Sequence, residues 1–220
     1  MHNILLIDKP SGITSFDVIR RLRRKFRENG HSAPFPKMGH AGTLDPLATG
    51  LMIVAVGEGT KKLQEYLKLP KVYEAEVMLG MRTDTGDREG KVLEKLLITN
   101  FEFLKESSEG VLKSMVGKIM LPVPKYSAIK VGGKRLYAKA RQREEFTPPE
   151  KEMEVIRITF QGICQEGEGV VLKFETEVAS GTYIRSLAEE IGKRVGVPAT
   201  LWSLRRTQIG TFRVENAEKI

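Results

Sequence analysis

The 220-residue sequence predicts an α+β fold, a mixed, largely antiparallel sheet with flanking helices. Three observations carry this. "KVYEAEVMLG" and "VVLKFETEV" alternate apolar and polar residues with the period of two that a strand requires. Segments near 15–27 and 184–195 instead repeat their apolar positions at helical spacing. Strand-like segments also occur without the regular intervening helices that build a parallel sheet.

In chain order, "NILLI" reads as a short buried strand and "DKPSGITS" as the turn after it, ending in Thr14 and Ser15, either of which can cap a helix. Val18, Ile19, Leu22 and Phe26 form the apolar stripe of that helix. Positions 28–50 are rich in Gly, Pro and His and read as a long loop before the strand "LMIVAV". A short helix around "KKLQEYL" precedes "KVYEAEVMLG", in which Tyr73, Ala75, Val77 and Leu79 share the inward face. "TDTGDREGK" is a tight polar turn whose acids lack the ligand pattern of a calcium loop. "TNFE" at 99–102 fits a capping box opening a helix towards Met115. "AIKVGGKRLY" reads as a hairpin turning at Gly132 and Gly133, followed by a basic helical stretch, "RLYAKARQR". "VIRITF" and "VVLKFETEV" are strands. "SGTYIRSLAEEIGKRVGV" is a capped helix with Ile184, Leu187, Ala188 and Ile191 inward, and "LWSLRRTQIGTFRV" closes the chain as a strand pair or extended tail.

The formal net charge is +8, which favours a polyanionic partner. One cysteine, Cys164, permits no intramolecular disulfide and no thiolate cage, and the three histidines at 2, 31 and 40 are scattered. No metal and no cofactor are expected. No signal-like start and no membrane-length apolar run occur, so the expected setting is the reducing cytoplasm. Basic residues gather at Arg20, Arg21, Arg23, Arg24, Lys25 and Arg27, in "KVGGKRLYAKAR" (Lys130, Lys134, Arg135 and Arg141 among them), and at Arg205 and Arg206. Such a face is either solvated or turned to phosphates. In "GHAGTLDPLATG" a single carboxylate, Asp45, sits in a Gly-, Thr- and Pro-containing turn that runs into an apolar strand. Turn closure and chemistry both fit that position.

"DKPSGITS", "GHAGTLDPLATG", "VYEAEVMLG", "TDTGDREG", "KYSAIK", "GKRLYAKAR", "SGTYIRSLA" and "LRRTQIGTF" occur together in one order from about residue 3 to residue 214. In this the chain resembles the bacterial tRNA pseudouridine synthases of the TruB family. The resemblance implies the pseudouridine synthase fold and isomerisation of uridine 55 in the TΨC loop of tRNA. It implies Asp45 as the catalytic aspartate, Tyr73 as the aromatic that stacks on the uracil, and Arg185 as the arginine paired with the aspartate. His40, Tyr183 and Leu204 match residues that line the pocket or fill the space left by a flipped nucleotide. Arg20, Arg23, Arg24, Arg27, Lys130, Lys134, Arg135, Arg141, Arg205 and Arg206 are the RNA-contacting candidates.

The expected organisation is one catalytic domain over 1–220 with RNA-binding insertions, a monomer, without the C-terminal PUA domain of many members. Val123 stands where the family usually shows a second proline. The chemistry suits the residues: a glycosidic C–N bond breaks and a C–C bond forms at the same sugar carbon, with no redox change, so one ionised carboxylate suffices. The target base must leave its stack, and an aromatic group can receive it. Two other classes remain open on sequence: a non-catalytic RNA-binding module, and a carboxylate glycosidase, which would want a second acid at defined separation.

Overall fold

The computed structural model describes residues 4–30, 36–142, 144–167 and 169–220. Asn3 of the expected first strand, His2, His31 and Arg143 of the expected basic helix lie outside these residues. In chain order the elements are β1 (Ile4–Lys9), α1 (Ser15–Glu28), β2 (Met38–His40), β3 (Thr49–Val56), α2 (Leu63–Lys68), β4 (Lys71–Leu79), β5 (Met81–Thr83), β6 (Val92–Lys95), α3 (Phe101–Lys113) and β7 (Gly117–Pro122). There follow β8 (Lys130–Val131), β9 (Lys134–Arg135), α4 (Leu136–Arg141), β10 (Glu150–Glu166), β11 (Gly169–Val178), α5 (Ile184–Val195), β12 (Ala199–Ile209), β13 (Phe212–Arg213) and β14 (Glu218–Lys219). Two compact units result, one of residues 1–74 and 204–220 and one of 75–203, and β4 and β12 each run from one into the other.

The first unit is organised on β3. It pairs antiparallel with β1 along its length (Ile4↔Ala55 to Lys9↔Gly50), antiparallel with β2 (Met38↔Val56), and parallel with β12 at Thr49 and Gly50. Leu51, Met52, Ile53, Val54 and Ala55 are all fully buried, so the unbroken apolar run "LMIVAV" marks a strand covered on both faces. Ala41, Leu51, Ile53, Ile209 and Val214 form a core against which Leu63, Tyr66, Leu67, Leu69 and Phe212 pack. Helix α1 begins with a full capping box: Asp17 N–H donates to the Thr14 hydroxyl and Thr14 N–H to the Asp17 carboxylate. Its stripe buries Val18, Ile19 and Leu22, with Phe26 half-buried. The expected long loop at 28–50 is interrupted by β2, whose three residues are too few to show a period in sequence.

The second unit has the strand order β4–β11–β10–β7, with β10 antiparallel to both neighbours. Register irregularities at Val155/Arg157 and Phe160/Gly162 break the 17-residue β10. Tyr73, Ala75, Val77 and Leu79 are buried as the alternation of β4 predicts. The Gly132–Gly133 hairpin forms with Lys130 opposite Arg135. Helix α5 buries Ile184, Leu187, Ala188 and Ile191 and ends at Gly196, whose φ of 88° is the left-handed conformation a glycine cap supplies.

Two caps differ from expectation. The N-cap of α3 is Asn100 rather than Thr99, its side chain accepting from Phe103 N–H. Helix α5 has no side-chain cap bond at Tyr183, because the nearby Thr182 hydroxyl is engaged with the Glu154 backbone instead. No helix among the described residues is long and apolar enough to cross a membrane.

Candidate active site

Asp45 begins a turn, closed by Ala48 N–H donating to its carbonyl at 3.1 Å, with Pro46 in the position that favours such a turn. The segment after β1 holds this turn from one side. Lys9 Nζ donates to the carbonyls of Pro10 (2.9 Å), Ile13 (2.7 Å) and Pro46 (3.2 Å). Gly12 N–H also reaches the Pro46 carbonyl, Ser11 Oγ the Leu47 carbonyl, and Ser15 Oγ bonds both backbone groups of Leu44. Lys9 is 0% exposed, and a buried ammonium is tolerable only when dipoles of this kind replace its water. The sequence "DKPSGITS" is therefore a cradle for "LDPL", and the half-buried Asp45 carboxylate projects from backbone that has little freedom.

Behind this turn, still in the first unit, lie three cationic or titratable groups. Arg206 is 1% exposed and donates from Nε to the Leu51 carbonyl (2.7 Å) and from Nη2 to the Gly42 carbonyl (3.1 Å). Lys71 Nζ donates to the Leu67 and Leu69 carbonyls (2.5 and 2.6 Å) at the end of α2, and burial together with the Arg206 charge pushes its pKa down to about 8. Burial first, and the Arg206 charge second, likewise hold His40 below its usual value, the Gly42 backbone acting the other way. His40 Nδ1 is buried without a hydrogen-bond partner among the described residues.

His40 is thus neutral at pH 7. Its folded pKa lies below its unfolded one, so the unfolded chain binds more protons and stability falls as pH drops below about 6.5. The His40 ring resonance should titrate with a midpoint below 6.5, and His40→Gln should lose less stability than wild type between pH 7.5 and 5.5. A midpoint at or above 6.5 would refute this reading of the site.

Tyr73 (8% exposed) and Leu204 (7%) are buried in the same unit. Arg185 and Tyr183 belong to the second. Arg185, in the first turn of α5, is buried and donates to the carbonyls of Thr85 (3.1 Å) and Tyr126 (3.0 Å), with Asp87 Oδ2 at 4.0 Å. Asp87, 5% exposed, organises the turn that receives it. Its carboxylate accepts from Thr85 Oγ1 (2.7 Å) and Glu89 N–H (3.1 Å), and its carbonyl from Thr83 Oγ1 (2.7 Å). Leu201 then bonds the turn through both of its backbone groups, to Gly86 and Arg88. "TDTGDREG" is a structural turn as expected, and it is also the seat of Arg185, which local sequence does not signal. The turn's only local signal is the Thr–x–Asp spacing of a self-bonding turn. At Tyr183, the Lys151 ammonium lies 5.8 Å from the ring centroid while donating to the Gly181 carbonyl.

The basic candidates divide. Arg20, Arg23, Arg24 and Arg27 are exposed on α1, with Arg20 paired to Asp17 and Arg24 to Glu28. Lys130, Lys134, Arg135 and Arg141 are exposed on the hairpin and α4. Arg205 is partly exposed and held bidentately by Asp8 (3.1 and 2.9 Å). Arg206 corrects the expectation of an RNA-contacting surface residue: strand alternation turns it inward, and carbonyls occupy its guanidinium. Among the described residues no group of three or more His, Cys, Asp or Glu could hold a metal ion.

The profile described as TruB family pseudouridylate synthase (N terminal domain) matches residues 24–184. A protein of Fusobacterium nucleatum subsp. nucleatum named tRNA pseudouridine synthase B is 41% identical over 98% of this chain and 70% of its own. One of the same name from Corynebacterium aurimucosum is 39% identical over 99% of this chain and 70% of its own. Among solved structures, a chain of a Cbf5–Nop10–Gar1 complex superposes with a TM-score of 0.70 at 28% identity, covering 99% of this chain, which spans about half (52%) of that one. With a family match over most of its length and relatives this similar, the chain belongs to the TruB family of pseudouridylate synthases.

Proposed function

We propose that this chain isomerises uridine to pseudouridine in tRNA, at position 55 of the TΨC loop, with Asp45 as the reacting carboxylate. The observation that carries the reading is the anchoring of the Asp45 turn: a half-exposed carboxylate on backbone held by Lys9, Ser11, Gly12 and Ser15 is preorganised for chemistry at one point. The relatives' name, tRNA pseudouridine synthase B, supports the substrate class. The target uridine leaves its stack, and the carboxylate acts at C1′ while the C1′–N1 bond breaks. The uracil then turns, C5 bonds to C1′, the C5 proton leaves and N1 gains one, so no atom is added or lost overall. The resemblance gives Tyr73 as the aromatic that stacks on the uracil, Arg185 as the arginine paired with the aspartate, and His40, Tyr183 and Leu204 as residues that line the pocket or fill the space left by a flipped nucleotide. Incubation with unmodified tRNA followed by carbodiimide-stop mapping tests class and position together. A stop beside the T-loop uridine is expected, and stops elsewhere or none would overturn the reading.

The exposed arginines of α1 and the cations of the β8–β9 hairpin and α4 are the proposed phosphate contacts, and the T-arm is the proposed part of tRNA that they bind. An isolated T-arm stem-loop should therefore be modified with kcat/KM within about tenfold, ~1.4 kcal/mol, of whole tRNA. Binding should weaken steeply with salt, each neutralised phosphate adding roughly 0.7–0.9 to the log–log slope. Measuring both RNAs at two salt concentrations checks this, and a thousandfold deficit for the hairpin would show that other parts of tRNA are read.

A further inference from the structure

We infer that Arg206 is a positioning residue for the Asp45 carboxylate: its guanidinium fixes the base of the loop whose apex carries that group. This rests on the proposed role of Asp45. The two carbonyls that Arg206 holds, Gly42 and Leu51, lie on either side of Asp45 in sequence. One planar, rigid fork thus bridges both ends of the 42–51 segment, next to the bond from Ala41 N–H to the Ile53 carbonyl that closes the β2–β3 pair just outside it. The contacts from Lys9, Ser11, Gly12 and Ser15 reach the segment elsewhere, at Leu44, Pro46 and Leu47. Apex and base are therefore fastened at different points, and loss of the fork lets the cradled apex shift relative to β3.

The main chain of Arg206 takes part as well. It pairs with Gly50 in the parallel β12–β3 contact. At Gly50, where φ is 104°, an added Cβ would lie 2.2 Å from the Arg206 carbonyl oxygen and 2.7 Å from its nitrogen. At Gly42, with φ 92°, a Cβ would come within 3.3 Å of Nη1 of the same arginine. Both glycines thus allow Arg206 close to the loop. An apolar side chain of similar volume would fill the space without burying a charge near Lys71 and His40. It could not hold two carbonyls at a set distance, and a lysine, whose three donors radiate from a single nitrogen, could not keep the two at the separation that Nε and Nη2 set.

The test uses Arg206→Lys and Arg206→Met in the full chain, assayed well below each variant's melting temperature. At least a tenfold fall in kcat is expected, with KM and Kd for unmodified tRNA within about threefold of wild type. A second readout does not depend on catalysis. Hydrogen exchange at the Ala48 amide, which donates to the Asp45 carbonyl, should speed up at least tenfold, while amides of the β1–β3 ladder keep their protection. Should Arg206→Met fail to fold, Arg206→Lys carries both readouts. Where Asp45→Asn abolishes turnover, retained kcat in the folded variants overturns the inference, and so does a rise in KM with kcat intact. Asp45→Asn is measured alongside: if that variant turns over normally, the reading of Asp45 fails on its own account, and faster Ala48 exchange still reports whether Arg206 fixes the loop.

Discussion

Asp45→Asn should abolish turnover, by at least about a thousandfold or ~4 kcal/mol of transition-state stabilisation, while tRNA affinity stays within a few fold. The substitution keeps the size of the side chain, and the turn is held mainly through backbone carbonyls of Leu44, Pro46 and Leu47, which asparagine at 45 leaves in place. What disappears is the negative charge and the nucleophilic oxygen, and no neutral amide replaces either at a cationic sugar carbon. One carboxylate contributes nothing to phosphate binding, so affinity should barely change. Single-turnover modification of unmodified tRNA, beside a binding titration, separates the two quantities. Turnover near wild type would remove Asp45 from the chemistry.

Arg185→Lys should lower the rate by well over tenfold, about 1.4 kcal/mol or more, with the charge retained. The guanidinium reaches two carbonyls from different segments, Thr85 and Tyr126, and lies 4.0 Å from the buried Asp87 carboxylate. A single ammonium nitrogen, with shorter reach than the guanidinium fork, cannot keep both carbonyls in place, so the Asp87 turn and the 126 segment lose their common tie. The comparison is kcat in the variant against its melting temperature. An unchanged rate would leave Arg185 a structural brace of the second unit only.

Much of the local architecture was readable because its causes act within a few residues. The alternation in β4 predicted the burial of Tyr73, Ala75, Val77 and Leu79, though Val72 and Met78 on the other face are buried as well, and the Thr14–Asp17 box, the Gly132–Gly133 turn and the Gly196 cap form where turn and capping chemistry places them. The misses were short or contested. Three residues of β2 carry no measurable period, and β7 and β14 show little of the apolar alternation that marks a strand. At 99–100 two good capping residues compete, and the geometry of the helix entrance chose Asn100.

The ordered motifs determined by themselves the family and the candidate site residues, because turn chemistry, periodicity and motif order are written along the chain. Tertiary structure alone decided which cations face inward. Arg205 and Arg206 are chemically identical neighbours on one strand, yet one is partly exposed against Asp8 and the other is 1% exposed beneath the Asp45 loop. Alternation puts them on opposite faces, but which face is covered depends on β12 meeting β3 at Thr49 and Gly50, more than 150 residues earlier. Lys9 follows the same logic: a lysine at the end of a strand looks solvated until the carbonyls of Pro10, Ile13 and Pro46 converge on it. Burial of a charge is a property of what the rest of the chain brings to it, and no local pattern of residues contains that information.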